Sequence, residues 1–246
     1  VIEHSENSSR AVRLIRKAIR NKRLSWSRVN ESGKKVLTAK YWVGLNDLKQ
    51  VNTRNLATSL KRPEAIALNQ LLSDAAVTLL KNEGQIRSLD LNKKTAVLGI
   101  GTTDFTTFQK LLKREFGNSV NFIIAKNATE SDIANVTNEL RNYDQIIVGV
   151  HDLRKRPAAV LDYNDNTKLF IGELAKMNSI ITVFANPYAI AGLPGIENSK
   201  TLILNYLNSD EGQNASARLI TGKLKASGKL PVTINSFFKF GDGLAQ

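Results

Sequence analysis

Apolar residues recur at helical spacing from the start of the chain. Val12, Ile15 and Ile19, flanked by Leu14 and Ala18, share one face while Arg and Lys take the other. Asn7-Ser8-Ser9 offers a cap, and this helix is expected to end near Lys22. A second helix opens at Ser25 or Ser27 and carries Trp26, Val29, Val36, Leu37 and Tyr41 towards a glycine stop at Gly44. Two such helices cannot enclose a core by themselves. Residues 46–62 lack a clear period and read as a linker, and Pro63 then suits the first turn of a helix over 63–75 carrying Ile66, Leu68, Leu71 and Leu72. Residues 76–80 read as a short buried strand stopped by Asn82-Glu83-Gly84.

From there strands and helices alternate. Apolar strands are expected at 95–100, 120–125, 145–150, 180–185 and 201–204, and helices at 105–116, 131–142, 167–176 and 215–224. Strands this uniformly apolar, separated by helices, predict a mainly parallel sheet covered on both faces. The expected fold class is α/β, a three-layer α/β/α sandwich over 63–246, preceded by the linker 46–62 and two helices within 1–45 that require another partner.

Composition places the chain among ordinary globular proteins, at 246 residues with 42% hydrophobic and 23% charged, which excludes disorder and collagen. No stretch approaches the roughly 18 consecutive apolar residues of a membrane span. Val1 opens no signal peptide and reads as a cut or processed end. The net charge of +13 is unevenly placed: fifteen of the 35 Lys and Arg, but four of the 22 Asp and Glu, lie within residues 1–63. The segment from Arg10 through Arg28 to Lys40 could neutralise phosphates, yet no nucleic-acid-binding motif accompanies it. A solvated helix face, or a surface docking on an acidic neighbour, is the plainer reading, and no specific nucleic acid partner is expected. With 0 Cys and only His4 and His151, neither a zinc site nor another metal or cofactor is expected.

Candidate chemistry is sparse. Gly99-Ile100-Gly101 follows a strand and precedes a helix, as a nucleotide cradle would, but the third glycine is missing. Ser32-Gly33-Lys34-Lys35 matches S-x-x-K without the companion motifs of a serine acyl enzyme. His151-Asp152 follows a strand where α/β sheets place ligand loops; His151 could shuttle protons, or be a loop histidine beside a capping aspartate. Asp162 and Asp165 could form a carboxylate pair or simply make turns and caps. Asn186-Pro187-Tyr188 ends a strand at the same edge, which suits positioning. His151, Asp152 and Asn186 are therefore the candidate substrate-binding residues, and no residue is assigned as catalytic or as a metal ligand.

Four segments together resemble glycoside hydrolase family 3, in its β-N-acetylglucosaminidase-like branch. The helix Val29-Asn30-Glu31-Ser32-Gly33-Lys34-Lys35-Val36-Leu37 running to Gly44-Leu45 is similar to the helix that closes the family's barrel. Leu72-Ser73-Asp74-Ala75-Ala76-Val77-Thr78-Leu79-Leu80-Lys81-Asn82-Glu83-Gly84 is similar to its A-x-x-S-I-V-L-L-K-N segment. Asn186-Pro187-Tyr188 and Ser227-Gly228-Lys229-Leu230-Pro231-Val232-Thr233 follow in the family's order. The resemblance implies that 1–45 are the last helices of an absent (β/α)₈ barrel and that the following domain is the C-terminal domain of a retaining exo-glycosidase acting on N-acetylglucosaminides such as cell-wall fragments. It places the nucleophilic Asp and the Asp-His acid/base pair on that barrel, near a K-H-[FL]-x-G-H-G motif absent here, so the chain alone is expected to be noncatalytic. It further implies a bacterial, periplasmic or cell-surface setting, carbohydrate as partner through the parent enzyme, and in some relatives a serine β-lactamase-like domain beyond the segment 238–244. The alternative is a noncatalytic carbohydrate-binding or domain-docking module.

Overall fold

In the computed structural model, which describes residues 5–50, 53–156 and 158–245, most of the longer helices begin at a side chain that accepts from a free backbone amide. His4 lies outside the described residues. Two compact units divide at Leu60 and Lys61. In the first, Asn7 accepts from the Arg10 amide at 2.8 Å to start α1 (Ser8–Arg20), and Lys22 follows with φ +56°. Ser25 accepts from the Arg28 amide at 3.1 Å to start α2 (Trp26–Trp42), which Gly44 ends at φ +79°. A single-turn helix, α3 (Leu56–Leu60), occupies part of the segment without a period. None of these helices has a buried residue.

The second unit opens on α4 (Pro63–Ala76), with Pro63 in the first turn. It continues through β1 (Thr78–Asn82), α5 (Gln85–Ser88), β2 (Thr95–Ile100), α6 (Thr107–Glu115), β3 (Ser119–Ile124), α7 (Glu130–Leu140) and β4 (Gln145–His151). Then come α8 (Asp165–Lys176), β5 (Ser179–Phe184), 3₁₀ turns at Pro187–Gly192 and Ile196–Asn198, β6 (Thr201–Asn205) and α9 (Asp210–Ile220). The sheet order is β1-β6-β5-β4-β2-β3, and every pair is parallel except β1 with β6. Side chains alternate along β2: Ala96, Leu98 and Ile100 join Phe170, Ile171 and Leu174 of α8 on one face, while Val97 joins Phe108 and Leu112 of α6 on the other. The result is a three-layer α/β/α sandwich. Among the described residues no helix is long and apolar enough to cross a membrane.

Two expectations shift. The apolar run 76–80 becomes a strand two residues later, antiparallel to β6 and interrupted by a bulge between Leu79 and Lys81. α4 packs against α9, with Asp74 accepting from Arg218 at 2.7 Å, and passes into β1 through Val77 alone, so the direction of the strand follows from the helix. α9 begins at Asp210, five residues before its apolar stripe suggested, because Ser209 caps it and Asp210 and Glu211 lie favourably in its first turn.

Gln109 connects α6 to two strands. Fully buried, it donates from Nε2 to the carbonyls of Val97 at 3.1 Å and Phe122 at 2.8 Å, while Oε1 accepts from the Thr106 amide at 3.2 Å. Replacing it with Leu leaves the Thr106 amide unanswered and removes two donors from the face of the sheet. Urea unfolding of Gln109→Leu is expected to show a loss of about 2 kcal/mol.

Candidate functional site

The sheet changes winding direction beside β2. The chain leaves β2 for α6 on one face and leaves β4 for α8 on the other, so the loops after these adjacent parallel strands separate and open a crevice at their C-terminal ends. A cavity of about 270 Å³ lies there, lined by the turn 101–103 after β2, Lys126 after β3, and Arg154, Asp162 and Tyr163 after β4.

Tyr163 ties the crevice together. Its hydroxyl lies 3.0 Å from the carbonyl oxygen of Ile100 and 2.7 Å from that of His151, donating across the ends of both strands. Burial raises the phenol well above its ordinary pKa. Gly101 makes this approach possible: it holds φ +82°, and a Cβ there would lie 1.8 Å from the hydroxyl oxygen. The second glycine of Gly99-Ile100-Gly101 therefore accommodates a tyrosine. Helix α6 begins only at Thr107 and is capped by Thr106 itself, so the turn forms no phosphate cradle of the dinucleotide kind.

Charges in the cavity wall are paired. Asp152, its side chain fully buried, accepts from Arg154 Nε at 2.8 Å, Arg154 Nη2 at 2.7 Å and the Arg154 amide at 3.1 Å. Arg154 Nη2 also donates to the Val160 carbonyl at 2.9 Å, and its Nε lies 3.7 Å from Asp162. Lys126 donates to Asp162 at 2.6 Å. The hydrogen bond to Asp152 raises the guanidinium pKa, and the bond from Lys126 holds the Asp162 carboxyl below the usual carboxylate range.

His151 closes β4 rather than lying in a loop. Its ring stacks on Phe184 at 4.7 Å, and Nδ1 lies 2.9 Å from Asn208 Oδ1, which also accepts from Gln213 Nε2 at 2.9 Å. An amide oxygen only accepts, so Nδ1 carries the imidazole proton. Nε2 is buried without a partner, near Gly149, where a Cβ would lie 2.6 Å from it. Burial pulls the histidine down to about 4, against a smaller opposing effect of Asn208. The ring is neutral near pH 7 and does not relay protons there.

The structure thus places His151 at the cavity with its ring stacked on Phe184 on the Phe108–Phe184 face of the sheet, whereas Asp152 does not line the cavity and lies buried against Arg154, which does. Asn186 stands apart: its Oδ1 accepts from the Tyr188 amide at 3.0 Å and caps the first 3₁₀ turn. Asp162 and Asp165 part company, Asp165 sitting in the first turn of α8 beside Lys168 at 3.7 Å. Ser32 accepts from Arg28 at 2.6 Å in the first unit. Sequence reasoning passed over Lys126, Arg154 and Tyr163; the alternating charges of Asp152, Arg154 and Asp162 were the one signal within reach. Among the described residues no group of three or more acidic or histidine side chains could hold a metal ion.

A family model described as the glycosyl hydrolase family 3 C-terminal domain matches residues 77–239. A curated protein of Formosa agariphila, provisionally named a β-xylosidase, is 22% identical over 233 residues, 84% of this chain and 31% of its own. Among solved structures, a family 3 β-N-acetylglucosaminidase from Paenibacillus sp. str. FPU-7 is similar at TM-score 0.68 and 21% identity, covering 89% of this chain and 42% of that one. A β-glucosidase from Listeria innocua is similar at TM-score 0.65 and 18% identity, covering 89% and 34%. The chain therefore spans between about a third and two fifths of these relatives' length.

Two outcomes follow from the crevice. Gly101→Ala forces a methyl group onto Tyr163 at a left-handed backbone position, and thermal or urea unfolding is expected to show a loss of at least about 2 kcal/mol. His151 has a folded pKa below its unfolded value of 6.5, so its contribution is complete above that value and is lost as pH falls towards 4. The loss amounts to about 3 kcal/mol. Urea midpoints measured between pH 7 and about pH 4 should fall less steeply in His151→Gln than in the parent chain.

Proposed function

Because this chain belongs to glycoside hydrolase family 3, we propose that it is the C-terminal part of a retaining exo-glycosidase whose catalytic carboxylates reside on a (β/α)₈ barrel outside residues 1–246. The match over 77–239 carries this reading, and the chain's partial coverage of its relatives agrees with it. A retaining mechanism needs two carboxyl groups about 5 Å apart, one attacking the anomeric carbon and one protonating the leaving oxygen. The groups around the crevice are poorly suited to these roles. Asp162 is held ionised by Lys126, Asp152 is enclosed by Arg154, and His151 is neutral and inward-facing. Their chemistry is that of holding loops in place.

The proposed substrates are terminal β-N-acetylglucosaminides, including cell-wall fragments, with the enzyme in the periplasm or at the cell surface. Support for the sugar comes from the segments at 29–45, 72–84, 186–188 and 227–233 and from the likeness to the Paenibacillus enzyme. A noncatalytic sugar-binding role for this domain is the second reading, favoured by the cavity's mutually neutralised donors and acceptors, which suit sugar hydroxyls better than an anion.

Purified 1–246 is expected to release no nitrophenol from the β-N-acetylglucosaminide, β-glucoside or β-xyloside of 4-nitrophenol. The chain extended to include an upstream barrel is expected to turn over the N-acetylglucosaminide fastest. Turnover by 1–246 that Asp162→Asn abolishes would overturn the proposal.

A further inference from the structure

Among the described residues the sheet ends at β3, with no strand beyond it. Two bonds on its inner side reveal what its outer side offers. Gly101 donates its amide to the Ile124 carbonyl at 2.8 Å, and Thr95 donates to that of Asn118 at 3.0 Å. Even-numbered residues therefore direct their backbone polar groups towards β2. The N–H and C=O of one strand residue point the same way and alternate along the chain, so Ser119, Asn121 and Ile123 direct theirs outward. The Ser119 carbonyl is taken by the Lys113 ammonium. Among the described residues, nothing pairs with the outward backbone groups of Asn121 and Ile123.

A groove of about 600 Å³ runs beside this edge, lined in part by Phe105, Lys110, Lys113, Arg114, Val120 and Asn121. Phe105 and Val120 are each nearly half exposed, and Asn121 Oδ1 is buried without a partner. The nearest acid along α6, Glu115, is already engaged by Lys223 at 2.5 Å. Lys110 and Arg114 form no ion pair among the described residues. The groove thus offers backbone hydrogen bonds, two apolar side chains and uncompensated positive charge.

We propose that the β3 edge docks an extended acidic segment of a partner protein, which adds to the sheet as a further strand. Main-chain bonds to Asn121 and Ile123 supply the pairing, and carboxylates facing Lys110 and Arg114 supply the selectivity. Lysine beside a free edge ordinarily discourages pairing. Here the same cations determine which strand is admitted. A second copy of this chain is refused, since pairing two β3 edges about a two-fold axis sets the same cations against each other.

The test is an NMR titration of the ¹⁵N-labelled full chain with acetyl-Ser-Glu-Val-Glu-Val-Glu-Ser-amide and with the same peptide carrying Lys in place of Glu. With the acidic peptide, the Asn121 and Ile123 amides should shift and gain protection from hydrogen exchange. The variant K110E/R114E changes two exposed side chains, and its spectrum checks that the fold is intact. It should bind the acidic peptide about tenfold more weakly and gain affinity for the basic one. The proposal is overturned if those two amides remain unprotected at about 1 mM acidic peptide, if both peptides bind the parent chain equally, or if the variant's affinities are unchanged. Self-association through this edge, seen by sedimentation and abolished in K110E/R114E, would also overturn it.

Discussion

One phenolic hydroxyl holds the ends of β2 and β4 in register where the sheet changes winding direction. Tyr163 reaches the carbonyls of Ile100 and His151 together, which fixes how far the two strand ends can separate. Because Tyr163 lies at the end of the loop after β4, the same bond draws that loop back over the sheet and brings Asp162 beside Lys126 and Arg154. The arrangement depends on Gly101 having no side chain. Crevice, loop and charge pairs are thus consequences of one contact between a buried hydroxyl and two strand ends.

That contact also accounts for the character of the crevice. Its charged groups are spent on one another: Arg154 on Asp152 and the Val160 carbonyl, Lys126 on Asp162. Such pairs hold a loop more than they create reactivity, because a group poised for acid–base work needs a proton affinity near the working pH.

Much of the sandwich was legible because buried strands and amphipathic helices differ in period, and the helix-start signals, the caps Asn7 and Ser25 and the first-turn Pro63, are local in sequence. The family resemblance at 72–84, 186–188 and 227–233 is borne out by the match across 77–239. Strand direction was not legible: an apolar run such as 77–80 reads the same in either sense, and only the packing of α4 on α9 sets β1 antiparallel. Nor were Lys126 and Tyr163 recognisable as neighbours of β2. Their proximity arises when 36 residues of chain from Lys126 to Asp162 fold back on themselves, and no local pattern encodes that. His151 was read from its chemistry and its place after a strand, whereas its stacking on Phe184 and its link to Asn208 depend on strands and loops more than 30 residues away.

Gly149 and His151 occupy the same face of β4, two residues apart, with the imidazole Nε2 filling the place a methyl group at 149 would need. Neither position is therefore free to drift independently. A larger residue at 149 becomes admissible only after 151 has shrunk, and restoring the ring later requires the glycine to have been kept. Among descendants of this sequence, these two sites should change as an ordered pair, with the reverse order blocked by steric overlap.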